Sequence, residues 1–186
     1  MRARHRTLVA MLAGATLVVF PLWHQPRVRL IWNASASVPV GLYRVLAPRD
    51  PKAGALVVVT PTDELARFLA ERGYLPRGLP LIKRLMARAG ATVCRVGALI
   101  TVDGAMRGVA HAHDSRGRPL PRWQGCRTLD DDEVFVMNRD APDSFDGRYI
   151  GPLPVLAITG RAVPIWTAPA PSLAVDATRA AVDREP

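Results

Sequence analysis

Metal ligands are scarce in this chain. Its 186 residues include two cysteines and four histidines, and Cys94 and Cys126 stand too far apart in sequence to form the close ligand pair of a zinc site. His111 and His113 sit together in "HAHDS", yet no further ligand is evident near them. No metal and no cofactor are therefore expected. With so few histidines, a Ser-His-Asp triad can be drawn only by choosing one arbitrarily. Aromatic residues make up 6% of the chain, and there is no basic-aromatic repeat, helix-turn-helix or zinc finger. The arginines are scattered instead of forming a stripe, so the formal charge of +9 does not read as a nucleic-acid surface. No internal repeat is present. What the chain does have is 49% hydrophobic residues, enough for one domain with its own core, and 17 prolines, which favour a strand-rich, turn-rich architecture over a helical bundle.

One long apolar run exists. Residues 8–23, "LVAMLAGATLVVFPLW", follow the basic "MRARHR", the order of an export signal, though the run is shorter than the roughly 20 residues that span a bilayer comfortably. No small-x-small cleavage site follows, because "HQPRVRLIW" is bulky and basic. Residues 1–25 are therefore expected to be a signal or, if uncleaved, a membrane anchor. The β-rich domain should then cover residues 26–167, and residues 168–186, rich in Ala, Pro and charge, should form a disordered tail. Basic residues stay cytoplasmic, so the domain is expected outside the inner membrane, facing the periplasm, or free in the periplasm if the segment is cleaved. Two thiols in that compartment can form a disulfide between Cys94 and Cys126, contributing on the order of 3 kcal/mol; the alternative is a pair of unrelated buried thiols.

Residues 41–47 and 55–60, "GLYRVLA" and "ALVVVT", read as strands joined by a turn and hence as an antiparallel pair. The period then becomes helical in "PTDELARFLAERGY", where Thr62 can cap, Asp63 and Glu64 suit the first turn, and Gly73 can end the helix. Residues 81–87 are read as a strand. Residues 92–106 suggest two short strands with a "VDGA" hairpin, residues 107–129 have no clear period, residues 133–138 form a short strand, residues 139–152 a loop, and residues 155–166 a final strand broken near Gly160.

Three segments invite a chemical reading. "NASASVPVGLY" places Ser35 and Ser37 just before Pro39 and Gly41, which is either a plain turn or the seat of a nucleophile. In "PLIKRLMARAG", alternation puts Lys83 on the face of Leu81 and Leu85. A lysine among apolar side chains loses hydration of its charged form and becomes a usable base, although a surface lysine laid along apolar neighbours fits the same pattern. In "NRDAPDSFDGRYIG", Ser144 can orient such a lysine while Asp146 and Arg148 pin the loop, or the two charges form an exposed ion pair of little value.

The order of these three segments resembles the signal peptidase I family of membrane-bound serine proteases with a Ser/Lys dyad. Ala36 and Val38 depart from the Gly and Met that usually flank the family's nucleophile. The N-x-S-x-S-x-P-x-G-L-Y form and short middle section are more similar to the TraF-type conjugal-transfer branch. The resemblance implies a mainly β fold, an antiparallel signal-peptidase-like domain with one or two short helices after an N-terminal apolar helix. It implies Ser37 as nucleophile and Lys83 as general base. Ser35 and the Ser37 backbone N–H would form the oxyanion hole, Ser144 would orient the lysine, and Asp146 and Arg148 would support the site. The expected partners are an exported precursor and inner-membrane lipid, with no nucleic acid. The implied function is endopeptidase processing of a pilin subunit of a conjugative type IV secretion system, with hydrolysis or cyclisation left open. Two alternatives stand beside it: a general signal peptidase, and a non-catalytic anchored component of a secretion channel.

Overall fold

The computed structural model describes residues 2–23 and 29–168. After the helix α1 (Arg2–Trp23) come β1 (Leu30–Asn33), β2 (Gly41–Leu46), β3 (Leu56–Val59), α2 (Asp63–Glu71), β4 (Leu81–Arg88), β5 (Thr92–Val96), β6 (Leu99–Val102), β7 (Ala105–Val109), β8 (Gly125–Thr128) and β9 (Glu133–Val136). The chain ends in α3 (Gly147–Ile150), β10 (Leu153–Pro154), a single 3₁₀ turn and β11 (Ile158–Thr167). No helix among the described residues is long and apolar enough to cross a membrane. Residues 169–186, where the tail was expected, lie outside the described residues.

The protein is mainly β, as expected, with every strand pairing antiparallel. One sheet has the order β1-β2-β11-β3-β4-β9-β10 and the other β7-β6-β5-β8. The expected pairing of β2 with β3 is not formed. The ten-residue β11 lies between them and bonds both, because its length lets one half pair with each shorter strand. Gly41 makes this approach feasible: it has φ +153, and a Cβ there would stand 2.2 Å from the Trp166 carbonyl oxygen. The final strand is irregular at Gly160, as expected, with a register shift between Ile158 and Gly160.

Three further expectations are corrected. Residues 92–106 hold β5, β6 and the start of β7, since a second tight turn is opened by Gly97 at φ +62, in addition to the Asp103-Gly104 turn. The stretch 139–152 is not all loop, because Asp146 caps the short α3 by accepting from the Arg148 backbone N–H. β1 was not anticipated, and β8 falls in the stretch without a clear period. The helix after Thr62 forms as read: the Thr62 side chain accepts from the Leu65 N–H, and Gly73 at φ +66 follows its end.

What positions the site is the centre of the larger sheet. Val57, Val59 and Leu85 join an apolar cluster with Val134, Val136 and Ile158, while Val58 and Ile82 join another with Val38, Tyr43 and Ala162. Alternating residues of β3 and β4 thus bury opposite faces. A polar side chain at position 83 of β4, on the face of Val57 and Leu85, leaves water.

Candidate active site

The serine turn is the loop of a hairpin. Asn33 ends β1 opposite Gly41 at the start of β2, so residues 34–40 must reverse the chain in a short span. The Asn33 amide does much of this. Its Nδ2 donates to the carbonyls of Ser35 at 2.7 Å, Val38 at 3.0 Å and Pro39 at 3.2 Å, while its Oδ1 accepts from Ser35 Oγ at 3.1 Å and Ser35 N at 3.3 Å. From below, the buried Tyr43 hydroxyl donates to the Pro39 carbonyl at 2.6 Å. Ser35 Oγ and Ser37 Oγ lie 2.9 Å apart. A hydroxyl has one proton, and that of Ser35 is committed to Asn33 Oδ1, which can only accept, so Ser37 donates to Ser35 in this arrangement. The sequence motif contained Asn33 but assigned it no role; an asparagine just before a reversing loop was the available signal.

Lys83 projects from the centre of β4 and is 3% exposed. Its Nζ donates to Ser144 Oγ at 2.7 Å, a buried contact. Burial is the main influence on this amine, with Arg148 acting in the same direction and Asp146 opposing them; together they lower its pKa from 10.5 to about 8. A surface lysine is therefore excluded. A neutral amine with a free lone pair is accessible to it near neutral pH, as a base requires.

The loop carrying Ser144 is held by a buried ion pair, not an exposed one. Arg148 Nε and Nη2 each reach one carboxylate oxygen of Asp146 at 2.9 Å, and the side chains are 2% and 0% exposed. The remaining guanidinium hydrogens face carbonyls of the same loop: Ala141 at 2.6 Å, Pro142 at 2.9 Å and Ser144 at 3.1 Å. Asp146 also accepts from the Asn138 N–H at 3.0 Å, and the Asn138 side chain accepts from Arg84 N at 2.7 Å and donates to the Ile82 carbonyl. The Ser144 loop is thereby tied to β4 on both sides of Lys83. Buried Arg95 on β5 donates to the Arg148 carbonyl, a contact that nothing in the sequence announced.

Ser35, Ser37, Lys83 and Ser144 line one cavity of about 490 Å³, together with Asp140, His111 and His113. Lys83 Nζ bonds Ser144 and Ser37 Oγ bonds Ser35, and the two do not bond each other. His111 Nε2 stands 4.0 Å from the exposed Asp143. Among the described residues no group of three or more His, Cys, Asp or Glu could hold a metal ion. Cys94 and Cys126, direct partners across β5 and β8, form a disulfide away from this cavity.

Comparison with known proteins gives a family and several relatives. The model of the signal peptidase family, peptidase S26, matches residues 2–167. A probable conjugal transfer protein TraF of Sinorhizobium fredii is 36% identical over 145 residues, 73% of this chain and 76% of the relative. A plasmid transfer protein TraF of Escherichia coli is 35% identical over 65% of this chain and 73% of its own length, and a conjugal transfer protein TraF of Agrobacterium tumefaciens is 31% identical over 88% and 98%. A solved signal peptidase I from Enterococcus faecalis is 16% identical with a TM-score of 0.36, covering 61% of this chain and 97% of that one. The chain belongs to the signal peptidase family, peptidase S26.

Proposed function

We propose that this chain is a serine endopeptidase with a Ser37/Lys83 dyad that processes the pilin precursor of a conjugative type IV secretion system. The observation that carries the reading is the buried, depressed-pKa Lys83 held by Ser144 in the cavity that the serine turn lines. In the proposed reaction neutral Lys83 takes the Ser37 hydroxyl proton as Oγ attacks the scissile carbonyl. The oxyanion is met by the Ser37 N–H and the Ser35 hydroxyl, which turns from Asn33 to donate. Lys83 then protonates the departing amine, leaving an acyl group on Ser37. Water releases it as an acid. The amino end of the same substrate releases it as a cyclic product.

The substrate reading rests on relatives named for conjugal and plasmid transfer. The placement, an anchored domain at the periplasmic face of the inner membrane, draws on the apolar run after "MRARHR". It is supported by an exposed aromatic pair, Trp32 and Trp166, stacked at 5.9 Å beside exposed Leu30 and Ile165, next to the serine turn. One observation favours the non-catalytic alternative, an anchored assembly component: the missing Ser37–Lys83 bond. Catalytic contacts in unliganded sites are often loose and tighten with substrate, so the enzyme reading is retained.

Processing of co-expressed pilin precursor separates the readings. Ser37→Ala and Lys83→Arg should each abolish it, the latter because a guanidinium stays protonated, and Ser35→Ala should slow it by about 10² to 10³-fold. Full processing by folded Lys83→Arg protein would end the dyad assignment.

A further inference from the structure

The cavity that holds Lys83 has an apolar part, and His111, His113, Asp114, Ser115 and Leu120 of the segment 111–120, here termed its roof, also line the cavity. Its walls include Leu69 and Leu75 from the α2 region, Leu81 of β4, Leu120, and Phe145 beside Ser144. Phe145 stacks on Tyr149 at 5.4 Å and meets Phe68 and Tyr74 at 5.5 Å each. The roof is a polar segment fastened at both ends. At one end the His111 N–H donates to the Tyr149 hydroxyl at 3.1 Å. At the other, Asp114 is the centre of a clamp: it accepts from the Tyr74 hydroxyl at 2.5 Å, from Arg118 Nε at 2.8 Å, and from the backbone N–H groups of Arg116 and Arg118. Arg118 in turn donates to the Arg72 carbonyl and Arg72 to the Pro119 carbonyl, both at 3.0 Å.

We propose that Asp114 is a specificity-determining residue, fixing the roof over this compartment so that it receives a bulky apolar side chain of the substrate. Three arguments converge. Beside its polar residues the cavity is lined by leucines and aromatic rings, and an apolar side chain is the occupant that suits that part of it. A leucine side chain neither gives nor takes a proton, so this apolar lining serves binding and not proton transfer. The Asp114 carboxylate is only 8% exposed, and the Tyr74 hydroxyl and Arg118 hold it far below the usual carboxylate range. The clamp is thus charged, and held, at any pH at which Lys83 can act. Burying a leucine in place of an alanine, at about 0.8 kcal/mol per methylene, corresponds to a preference of roughly 50-fold.

The inference rests on the peptidase reading for its meaning, but binding needs no nucleophile, so the two fail separately. Full-length Ser37→Ala protein in phospholipid nanodiscs, with leucine methyls labelled for NMR, is titrated with acetyl-Ala-Leu-Ala-amide, acetyl-Ala-Phe-Ala-amide and acetyl-Ala-Ala-Ala-amide. The Leu and Phe peptides should bind at least tenfold more tightly than the Ala peptide and shift the methyls of Leu69, Leu75, Leu81 and Leu120. Asp114→Ala should cut that preference to below threefold, Asp114→Asn should restore part of it, and Tyr74→Phe, which removes one hydroxyl, should act in the same direction if Asp114→Ala does not fold. Equal binding of all three peptides, no binding, shifts confined to other leucines, or a preference untouched by folded variants would each overturn the inference. Peptidase failure would look different: selective binding here, with no processing by the Ser37 protein.

Discussion

Replacing Lys83 with methionine tests the state of the amine directly, without a substrate. Lys83 titrates at 10.5 when hydrated and at about 8 when folded, so between these values the unfolded chain holds the extra proton and stability rises with pH; below about 8 both states are protonated and the full burial cost remains. At pH 7 that cost is about 3 kcal/mol, and by pH 9.5 it has fallen to about 1 kcal/mol. Lys83→Met fills similar space with no charge and leaves only the Ser144 hydroxyl without a partner, a loss of about 1 to 3 kcal/mol. The absolute difference between wild type and variant at one pH is therefore small. Its change with pH is not: wild type should gain about 2 kcal/mol on the variant between pH 7 and 9.5, all other titrating groups cancelling. Urea titrations of both proteins at the two pH values, followed by tryptophan fluorescence, measure it. A constant difference would mean that Lys83 is not desolvated, and the base assignment would lose its physical ground. The same titration predicts that kcat/KM of an active enzyme rises about tenfold from pH 7 to pH 9, as the neutral fraction grows from about a tenth to about nine-tenths.

Two further outcomes are expected. Arg148→Met leaves the Asp146 carboxylate at zero exposure without its ion-pair partner and removes the guanidinium donor from four loop carbonyls, of which Asn138 and Ala141 keep a backbone donor, and should cost about 3 to 5 kcal/mol, with Asp146→Asn/Arg148→Met recovering part of it; a melt showing under 1 kcal/mol would mean the pair is not buried in solution. Mass spectrometry of unreduced peptides from periplasmic protein should join Cys94 to Cys126, and reduction should lower stability by about 3 kcal/mol; two free thiols would contradict both the bond and the case for export.

How much of this was legible depended on whether the controlling partner was near in sequence. Thr62 and its helix were readable because cap, charges and apolar face lie within one short stretch. The strand around Lys83 was readable because its flanking residues alternate. The place of β11 was not, since nothing local tells a terminal strand to insert between β2 and β3. The Asp146–Arg148 pair reads as surface by composition, because charged residues are almost never buried unless paired and hydrogen-bonded. Only the packing of the loop against β4 and β9 reveals that it is inside. The roof over the apolar compartment was the least visible, for its Gly, Pro and Arg residues carry no period. What organises it is Asp114, whose partner Tyr74 lies on the far side of β4 in sequence, as does Arg72, the partner of Arg118.

The two halves of the proposed dyad are held with different stiffness, and this bears on how they meet. Lys83 is set in a central strand, its amine bonded to a loop that the Asp146–Arg148 pair and Asn138 tie back to β4. Moving it would break a buried ionic network. Ser37 sits in a hairpin loop whose backbone Asn33 fastens through the Ser35, Val38 and Pro39 carbonyls, none of them Ser37's own. Its hydroxyl is kept by one neutral hydrogen bond to Ser35, worth about 1 kcal/mol. A turn about the Ser37 side-chain bond is thus far cheaper than any shift of the lysine. Ser35 needs a separate step, because its proton is given to Asn33 Oδ1 and must leave it to reach an oxyanion. Under the proposed mechanism two neutral hydrogen bonds are given up in turn: Ser37 leaves Ser35 to face Lys83, and Ser35 leaves Asn33 when a substrate carbonyl takes its place beside the serines.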